Sequence, residues 1–223
     1  MKIRAVCFDL DGTLVQGTTV CLHLSRAMGT EHLVADLERK YASGVISSEE
    51  AARWDAEAYT HAGRKKADIF SMLASIPEIG SIGETVQRLK AEGIAVVIGT
   101  ITWAFAAEYF QKKYGFDAFT GTVMGESAEG ILTGTIEKLC DEHDKAAFVE
   151  TYCRARGITM AEVAAVGDSR SDIPLFGKVG LAIALNATPA ARQAAHISID
   201  SDDLTKVLEP ILPRHHREVG LQP

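Results

Sequence analysis

Four short apolar segments, separated by stretches with helical character, constrain the fold of this chain more than any other feature. They lie at residues 3–8, 94–98, 163–166 and 181–185. None alternates between polar and apolar residues, which is typical of strands covered on both faces. Helices are predicted at 102–114 and 144–156, because Gly115 and Gly157 follow them as helix-ending glycines. Strands that alternate with helices predict a doubly wound α/β fold.

Polar residues follow the first three of these apolar segments. The segments are followed by Asp9-Leu10-Asp11, by Gly99-Thr100 and by Gly167-Asp168. Ligands of doubly wound sheets bind beyond the carboxyl ends of the strands. We therefore expect these residues to meet at one edge of the sheet and to form a site there.

A long helical segment separates the first two predicted strands. It covers residues 16–77, and Ser47-Ser48-Glu49-Glu50 within it fits a capping box. A crossover of this length exceeds what a single helix needs. We therefore predict a core at 1–15 and 78–212, an inserted helical cap at 16–77 and a flexible tail at 213–223. Glycines among β-branched residues at 120–136 predict a hairpin-like excursion.

Asp9 and Asp11 precede Gly12-Thr13 and follow the first predicted strand. Once the chain turns at Gly12 the two carboxylates point differently, so one can attack phosphorus while the other handles protons. A calcium loop or a plain turn has a similar composition. A calcium loop, however, needs its glycine further on and a late Glu, and the segment lacks both in that register.

Asp168 and Asp172 lie in Gly167-Asp168-Ser169-Arg170-Ser171-Asp172. Two carboxylates here can hold Mg²⁺, which binds a few carboxylates together with phosphate and water oxygens. Magnesium would neutralise the repulsion between a carboxylate nucleophile and a phosphate. An acidic loop that caps a helix, with Asp168 or Ser169 as N-cap, is the alternative.

Thr100 and Lys145 are candidates for holding a phosphoryl group. The Thr100 hydroxyl and nearby backbone N–H groups can bind phosphoryl oxygens, although a threonine at this position can also be a helix N-cap. A lysine at the start of a helix can neutralise charge that develops on a transferring group. Lys138 is an alternative to Lys145 for this role.

The chain resembles the haloacid dehalogenase-like superfamily of hydrolases in four segments that occur in the same order: Asp9-Leu10-Asp11-Gly12-Thr13, Thr100, Lys145 and Gly167-Asp168-Ser169-Arg170-Ser171-Asp172. The resemblance extends to about residue 208. It implies a Rossmann-like three-layer core with a parallel sheet and an inserted small helical cap. The roles that it implies are nucleophile and magnesium ligand for Asp9, and general acid/base and backbone metal ligand for Asp11. It implies phosphoryl binding for Thr100 and Lys145. Asp168 would contact the magnesium, and Asp172 would support it directly or through the lysine and water.

Residues 100–117 have the spacing of the phosphoserine phosphatase group, and residues 180–189 resemble its downstream segment. Within this superfamily the chain therefore looks most like that group, with three departures, one of which is Ser171 where the group usually has Asn. That group has an acidic residue where this chain has Thr18, and a cap arginine where this chain has Asp55. Arg53 lies two positions from Asp55 and so on another face of a helix. Thr18 and Arg53 are our candidate substrate-binding residues, and phosphoserine is one candidate substrate. Trp54 and Tyr59 are predicted to pack between cap helices.

Charge and cysteine usage restrict the partners. The formal net charge is -7, whereas binding to nucleic acid or to an anionic membrane calls for basic stripes. The four cysteines form no Cys-x-x-Cys pair, which is typical of free thiols in a reducing compartment. We expect a cytoplasmic monomer or homodimer that acts on a small phosphorylated metabolite, with no nucleic-acid or membrane partner.

The reaction predicted from these residues is magnesium-dependent hydrolysis of a phosphomonoester through an aspartyl-phosphate. A phosphotransferase or mutase with the same intermediate is the nearest alternative. A protein that only binds a phosphorylated ligand would have lost some of the acidic and lysine positions, and this chain retains them. The long insertion argues against a single-domain phosphoacceptor.

Overall fold

A seven-stranded sheet in the order β4-β3-β2-β1-β5-β6-β7 forms the centre of the protein. The computed structural model describes residues 2–60 and 63–212. The strands are β1 (Ala5–Phe8), β2 (Ala95–Trp103), β3 (Ala118–Glu126), β4 (Leu132–Lys138), β5 (Val163–Gly167), β6 (Leu181–Leu185) and β7 (Ile197–Ile199). Neighbouring strands are parallel except β3 and β4, which form an antiparallel hairpin where an excursion was predicted. The predicted tail at 213–223 lies outside the described residues.

Ten helices connect the strands in the part of the chain that the structure describes. They are α1 (Val20–Met28), α2 (Glu31–Ala42), α3 (Ser48–Thr60), α4 (Lys66–Leu73), α5 (Ile82–Ala91), α6 (Ala104–Tyr114), α7 (Glu142–Arg154), α8 (Ile173–Phe176), α9 (Pro189–Ala194) and α10 (Leu208–Ile211). The first four lie in the segment predicted as a cap. The capping box before α3 is present, because Ser47 N donates to Glu50 Oε2 and Glu50 N donates to Ser47 Oγ.

Helices cover both faces of the sheet, which gives the three layers that the sequence predicts. One apolar cluster joins the sheet to α5, α6 and inner residues of the cap segment. A second cluster, on the other face, includes Val149 of α7, Phe176 of α8 and Ala191 of α9. Burial on both faces explains why β1 and β6 are apolar throughout.

The register of the central strands brings their polar ends together. Phe8, the last residue of β1, lies opposite Ile98 of β2 and Val166 of β5. Asp9 therefore leaves the sheet beside the residues that follow Ile98 and Val166, and this places the three predicted polar segments at one edge.

Several element boundaries differ from the sequence prediction, and three of them lie near the predicted site. The second strand does not end at Thr100 but continues to Trp103, because β3 pairs with it on both sides of an irregularity between Gly99 and Trp103. Helix α6 accordingly begins at Ala104 rather than at 102. Helix α7 begins at Glu142 rather than at 144, because Asp141 is its N-cap and accepts hydrogen bonds from the backbone N–H groups of His143 and Asp144.

The cap segment contacts the core at more than its two chain connections. Leu132 N, in β4, donates to Arg64 O over 2.9 Å, and Lys65 forms an antiparallel bridge with Ile131. Helix α3 also packs against β4. Among the described helices, none has both the length and the apolar character that crossing a bilayer requires.

Leu89 and Leu33 provide a matched test of the core. Leu89 of α5 is fully buried in the larger apolar cluster, whereas Leu33 of α2 is 54% exposed. We expect Leu89→Ala to lower the free energy of unfolding by about 2–5 kcal/mol, because it leaves a cavity. Leu33→Ala should change it by about 0.5 kcal/mol or less. Urea unfolding followed by circular dichroism measures both, and equal effects would contradict the described packing.

Candidate active site

A buried lysine joins two buried aspartates at the edge where the central strands end. Lys145 Nζ, on the first turn of α7, donates to Asp9 Oδ1 over 2.8 Å and to Asp172 Oδ1 over 2.5 Å. Its side chain is fully buried, and a buried ammonium is tolerated only when it is paired. Burial alone would lower the pKa of Lys145, but Asp172 and Asp9 raise it above its usual range. Lys145 is therefore a fixed positive charge beside Asp9.

Asp172 is held by the backbone of its own loop. Its Oδ2 accepts hydrogen bonds from Asp168 N over 3.0 Å and from Ser169 N over 3.1 Å. The carboxyl group occupies space that only a glycine leaves open, since a Cβ on Gly167 would lie 2.1 Å from Asp172 Cγ. The glycine before Asp168 is thus required by this close approach.

Three carboxylates form a group that suits a divalent cation. Asp9, Asp168 and Asp172 each offer an oxygen, and these oxygens lie within 4.8 Å of one another. Asp168 Oδ1 is buried and has no hydrogen-bond partner. Burial, followed by the charges of Asp9 and Asp172, raises the pKa of Asp168 to about 9. Oxygen ligands with an unpaired buried atom fit Mg²⁺, whose charge would offset their repulsion.

Asp11 lies apart from the three carboxylates, and its side chain contacts the first residue of α1. Its Oδ1 accepts a hydrogen bond from Val20 N over 2.7 Å. Burial, followed by the charge of Glu38, raises the pKa of Asp11 well above its usual range. Asp11 therefore retains a proton more readily than a solvated aspartate does, as a general acid must.

Thr100 is buried in β2 and faces the same space as Asp9 and Asp11. Its Oγ1 accepts a hydrogen bond from Thr102 N over 3.2 Å, so the hydroxyl hydrogen remains available for an acceptor. Lys138, the alternative to Lys145, is exposed on β4. The structure thus brings Asp9, Asp11, Thr100, Lys145, Asp168 and Asp172 together at one edge of the sheet.

A cavity of about 240 Å³ extends from Asp9 and Asp11 towards the cap segment. Apolar and aromatic residues form much of its wall: Val34, Leu37, Tyr41, Ala51, Ala52 and Trp103. Two cap carboxyl groups, those of Glu38 and Asp55, also line it. Of the two candidate substrate-binding residues, neither Thr18 nor Arg53 contributes to this lining.

Local contacts explain why Thr18 and Arg53 lie outside the cavity lining. Arg53 lies on the outer side of α3, where it forms an ion pair with Glu49 over 2.7 Å and its side chain is 67% exposed. Thr18 precedes the α1 N-cap and donates its hydroxyl to Thr19 O over 3.3 Å. Trp54 is likewise 60% exposed, contrary to its predicted packing role, whereas Tyr59 is buried as predicted.

Asp55 and Glu38 were not predicted as site residues. Asp55 Oδ2 accepts a hydrogen bond from Trp103 Nε1 over 2.5 Å, and Glu38 accepts one from the Thr19 hydroxyl. Burial raises the pKa of Asp55 to about 6 and that of Glu38 to about 7. A sequence signal existed, because each is a lone acid in an apolar helical stripe, with Val34 four residues before Glu38 and Tyr59 four residues after Asp55.

Comparison with known proteins identifies the family of the chain. The family model described as haloacid dehalogenase-like hydrolase matches residues 6–177. A phosphoserine phosphatase of Methanocaldococcus jannaschii is 28% identical over 212 residues, which cover 94% of this chain and 98% of the relative. A solved phospho-aspartyl intermediate analogue of phosphoserine phosphatase has a TM-score of 0.83 at 26% identity, with 95% of this chain and 100% of that chain covered. A substrate-bound phosphoserine phosphatase has a TM-score of 0.84 at 25% identity and the same coverage.

The chain therefore belongs to the haloacid dehalogenase-like hydrolase family. Within that family it is a phosphatase, similar to the phosphoserine phosphatases over nearly its whole length.

Two glycines with similar backbone angles test how tightly the acidic site is packed. Gly12 has φ +80° and Gly17 has φ +70°, so alanine strains the backbone at either position. A Cβ on Gly12 would lie 2.3 Å from Asp168 Oδ2, whereas a Cβ on Gly17 meets nothing within 4 Å. We expect Gly12→Ala to lower kcat for p-nitrophenyl phosphate on the order of 100-fold through displacement of Asp168.

The matched variant Gly17→Ala should retain most of that activity and lose about 1 kcal/mol of stability from backbone strain alone. If both variants are equally active, close packing of Gly12 on Asp168 has no role in the reaction.

Glu38→Gln tests how much a buried, ionised carboxylate in the cap segment lowers the free energy of unfolding. The pKa of Glu38 in the folded protein is about 7, which exceeds the ordinary value of 4.5 for a glutamate. The carboxyl group therefore favours folding at low pH, and this contribution is lost as pH rises through about 7. We expect Glu38→Gln to stabilise the protein on the order of 2 kcal/mol at about pH 9 and much less at about pH 5.

Urea unfolding at both pH values measures this difference. The exposed Glu57 of the same cap segment provides the matched control Glu57→Gln. A pH-independent effect of Glu38→Gln would mean that burial does not shift the titration of Glu38.

Proposed function

We propose that this protein is a magnesium-dependent phosphomonoester hydrolase that acts on a small phosphorylated metabolite, with Asp9 as the nucleophile. The observation that carries the proposal is the buried Lys145, bonded to both Asp9 and Asp172 beside the group of three carboxylates. The nucleophilic carboxylate thus contacts a cation and belongs to a group of metal ligands. Together these supply the charge stabilisation that phosphoryl transfer requires.

In the first step an oxygen of Asp9 attacks phosphorus and the bond from phosphorus to the ester oxygen breaks. The departing alkoxide takes a proton from Asp11, whose raised pKa keeps that proton available. Lys145 restrains Asp9 and balances the charge of the phosphoryl group, while the Thr100 hydroxyl donates to a phosphoryl oxygen. The products of this step are the free alcohol and an aspartyl-phosphate at Asp9.

In the second step Asp11, now ionised, takes a proton from a water molecule, which attacks the phosphorus. The bond between phosphorus and Asp9 breaks, and inorganic phosphate leaves with Asp9 regenerated. Mg²⁺ held by Asp9, Asp168 and Asp172, with the backbone carbonyl of Asp11 as a further proposed ligand, would supply positive charge that reduces repulsion between phosphate and carboxylate.

The cap segment, residues 16–77, is proposed to enclose the leaving alcohol and to select it. Phosphoserine is the substrate named for the relatives and is the first to test. All four cysteines are free, which supports the expected location in a reducing cytoplasm. A monomer or a homodimer would suit this site, because every proposed catalytic residue belongs to one chain.

Asp9→Asn tests the nucleophile. We expect it to lower phosphate release from p-nitrophenyl phosphate by about 10³-fold or more, because an amide cannot form the covalent intermediate. Acid-quenched wild-type protein should retain phosphate on Asp9 by mass spectrometry, and the variant should retain none. The exposed Asp202 provides the matched control Asp202→Asn, which should behave as wild type.

Chelation of divalent ions should abolish release, and added Mg²⁺ should restore it. An Asp9→Asn variant with full activity would contradict the proposal. Phosphate transfer to an added alcohol in preference to water would identify a phosphotransferase instead.

A further inference from the structure

The wall of the cavity that faces the leaving alcohol is acidic and contains no cation. Beyond Asp9 and Asp11, Glu38 and Asp55 are its ionisable acids, one from α2 and one from α3. Among the described residues that line the cavity there is no Lys, Arg or His. A substrate carboxylate would therefore meet two acids and no positive partner.

Neutral donors hold both acids. The Trp103 indole N–H binds Asp55, and the Thr19 hydroxyl binds Glu38. Two arginines lie nearby but outside the lining. Arg26 Nε donates to Glu31 Oε1 over 2.6 Å. Arg170 pairs with Glu142 over 3.7 Å and stacks its guanidinium on the outer side of the wall, against the Tyr41 ring at 4.1 Å from the centroid. The two acids also repel each other when both are ionised, since the Asp55 charge contributes to the raised pKa of Glu38.

The Tyr41 hydroxyl adds unused hydrogen-bonding capacity to this wall, and a second unpaired tyrosine hydroxyl, that of Tyr59, lies outside the lining in a ring packed against Trp103. Tyr41 lines the cavity, and its hydroxyl oxygen is buried without a partner. Tyr59 is 1% exposed, and its hydroxyl is also buried without a partner. Tyr59 packs edge-on against Trp103 at 5.8 Å between ring centroids. Buried polar groups without partners in a native protein call for an explanation, and a ligand is one.

We propose that the cavity binds a phosphomonoester of an amino alcohol that carries an ammonium group and no carboxylate, with Asp55 and Glu38 as the residues that bind the ammonium. This inference rests on the proposed phosphatase function and specifies its leaving group. An ammonium has three donors and no acceptor, so it matches a wall whose free groups are carboxylate and hydroxyl oxygens.

The same wall discriminates against other alcohols by charge. The carboxylate of phosphoserine would lie against Asp55 and Glu38 in a site of low dielectric, where like charges repel strongly. A neutral polyol would leave the two acids without a counter-ion. An ammonium offsets both charges, and the aromatic Trp103 in the same wall favours cations as well.

The test compares kcat/KM for O-phosphoethanolamine, glycerol 3-phosphate and O-phosphoserine at saturating Mg²⁺, above the raised pKa values of both acids. We expect O-phosphoethanolamine to exceed each of the others on the order of tenfold or more. In Asp55→Asn and in Glu38→Gln this preference should fall on the order of tenfold, mainly through KM.

Both variants keep an acceptor for Trp103 or for Thr19, and thermal unfolding by circular dichroism shows whether each one folds. The use of two variants on different helices keeps the test decisive if one of them does not. Glu57→Gln, on the exposed side of α3, is the matched control and should retain the wild-type preference.

Equal kcat/KM values for the three esters, or a preference for phosphoserine, would overturn the inference, and so would a preference that survives in both variants. Hydrolysis of p-nitrophenyl phosphate separates the two proposals. If wild-type protein hydrolyses it through Asp9 but shows no preference for the amine, only the leaving-group assignment fails. If no ester is hydrolysed and Asp9 is never phosphorylated, both proposals fail.

Discussion

The double ion pair of Lys145 with Asp9 and Asp172 is the interaction on which the site depends. Its three charges come from the end of β1, the start of α7 and the loop after β5. Removal of Lys145 would leave two buried carboxylates without their cation, which is strongly destabilising. The parallel register of β1 with β2 and β5 is therefore a requirement of the site, because it sets the ends of these strands level.

Small residues make room for this arrangement. A Cβ on Gly99 would lie 2.7 Å from Cys7 Sγ and 3.2 Å from Lys145 Cγ. Gly167 plays the same part for Asp172. Gly99 within β2 and Gly167 at the end of β5 thus reflect close packing around the buried ions, and larger residues would push the charged groups apart.

The sheet and the grouping of the polar residues at its edge were predictable from the sequence, because both follow from local pattern. Apolar runs that lead into Asp9, Thr100 and Asp168 indicate parallel strands, and the carboxyl-terminal parts of such strands meet at one edge of the sheet. The extension of β2 to Trp103 was not predictable, because it depends on pairing with a distant strand. The orientation of the cap helices was harder still to predict. Whether Arg53 or Asp55 faces the cavity depends on how α3 is rotated about its axis, and packing against β4 fixes that rotation. The sequence signal at Asp55 and Glu38 therefore did not show that both acids line the cavity.

The contact of the cap segment with the β3–β4 hairpin restricts how the cap can move. At its base the entering and leaving chains are already joined, since Gln16 N donates to Pro77 O over 3.1 Å and Ile79 N donates to Leu14 O over 3.0 Å. A segment tied only at that stem could swing as a lid on a single hinge. The backbone bridge from Lys65 to Ile131 is a third attachment, far along the chain from the stem. The cap must therefore either carry the hairpin with it or break this bridge to open. Because β3 of the hairpin is bonded to β2, the first route would transmit movement of the cap to the strand that bears Thr100.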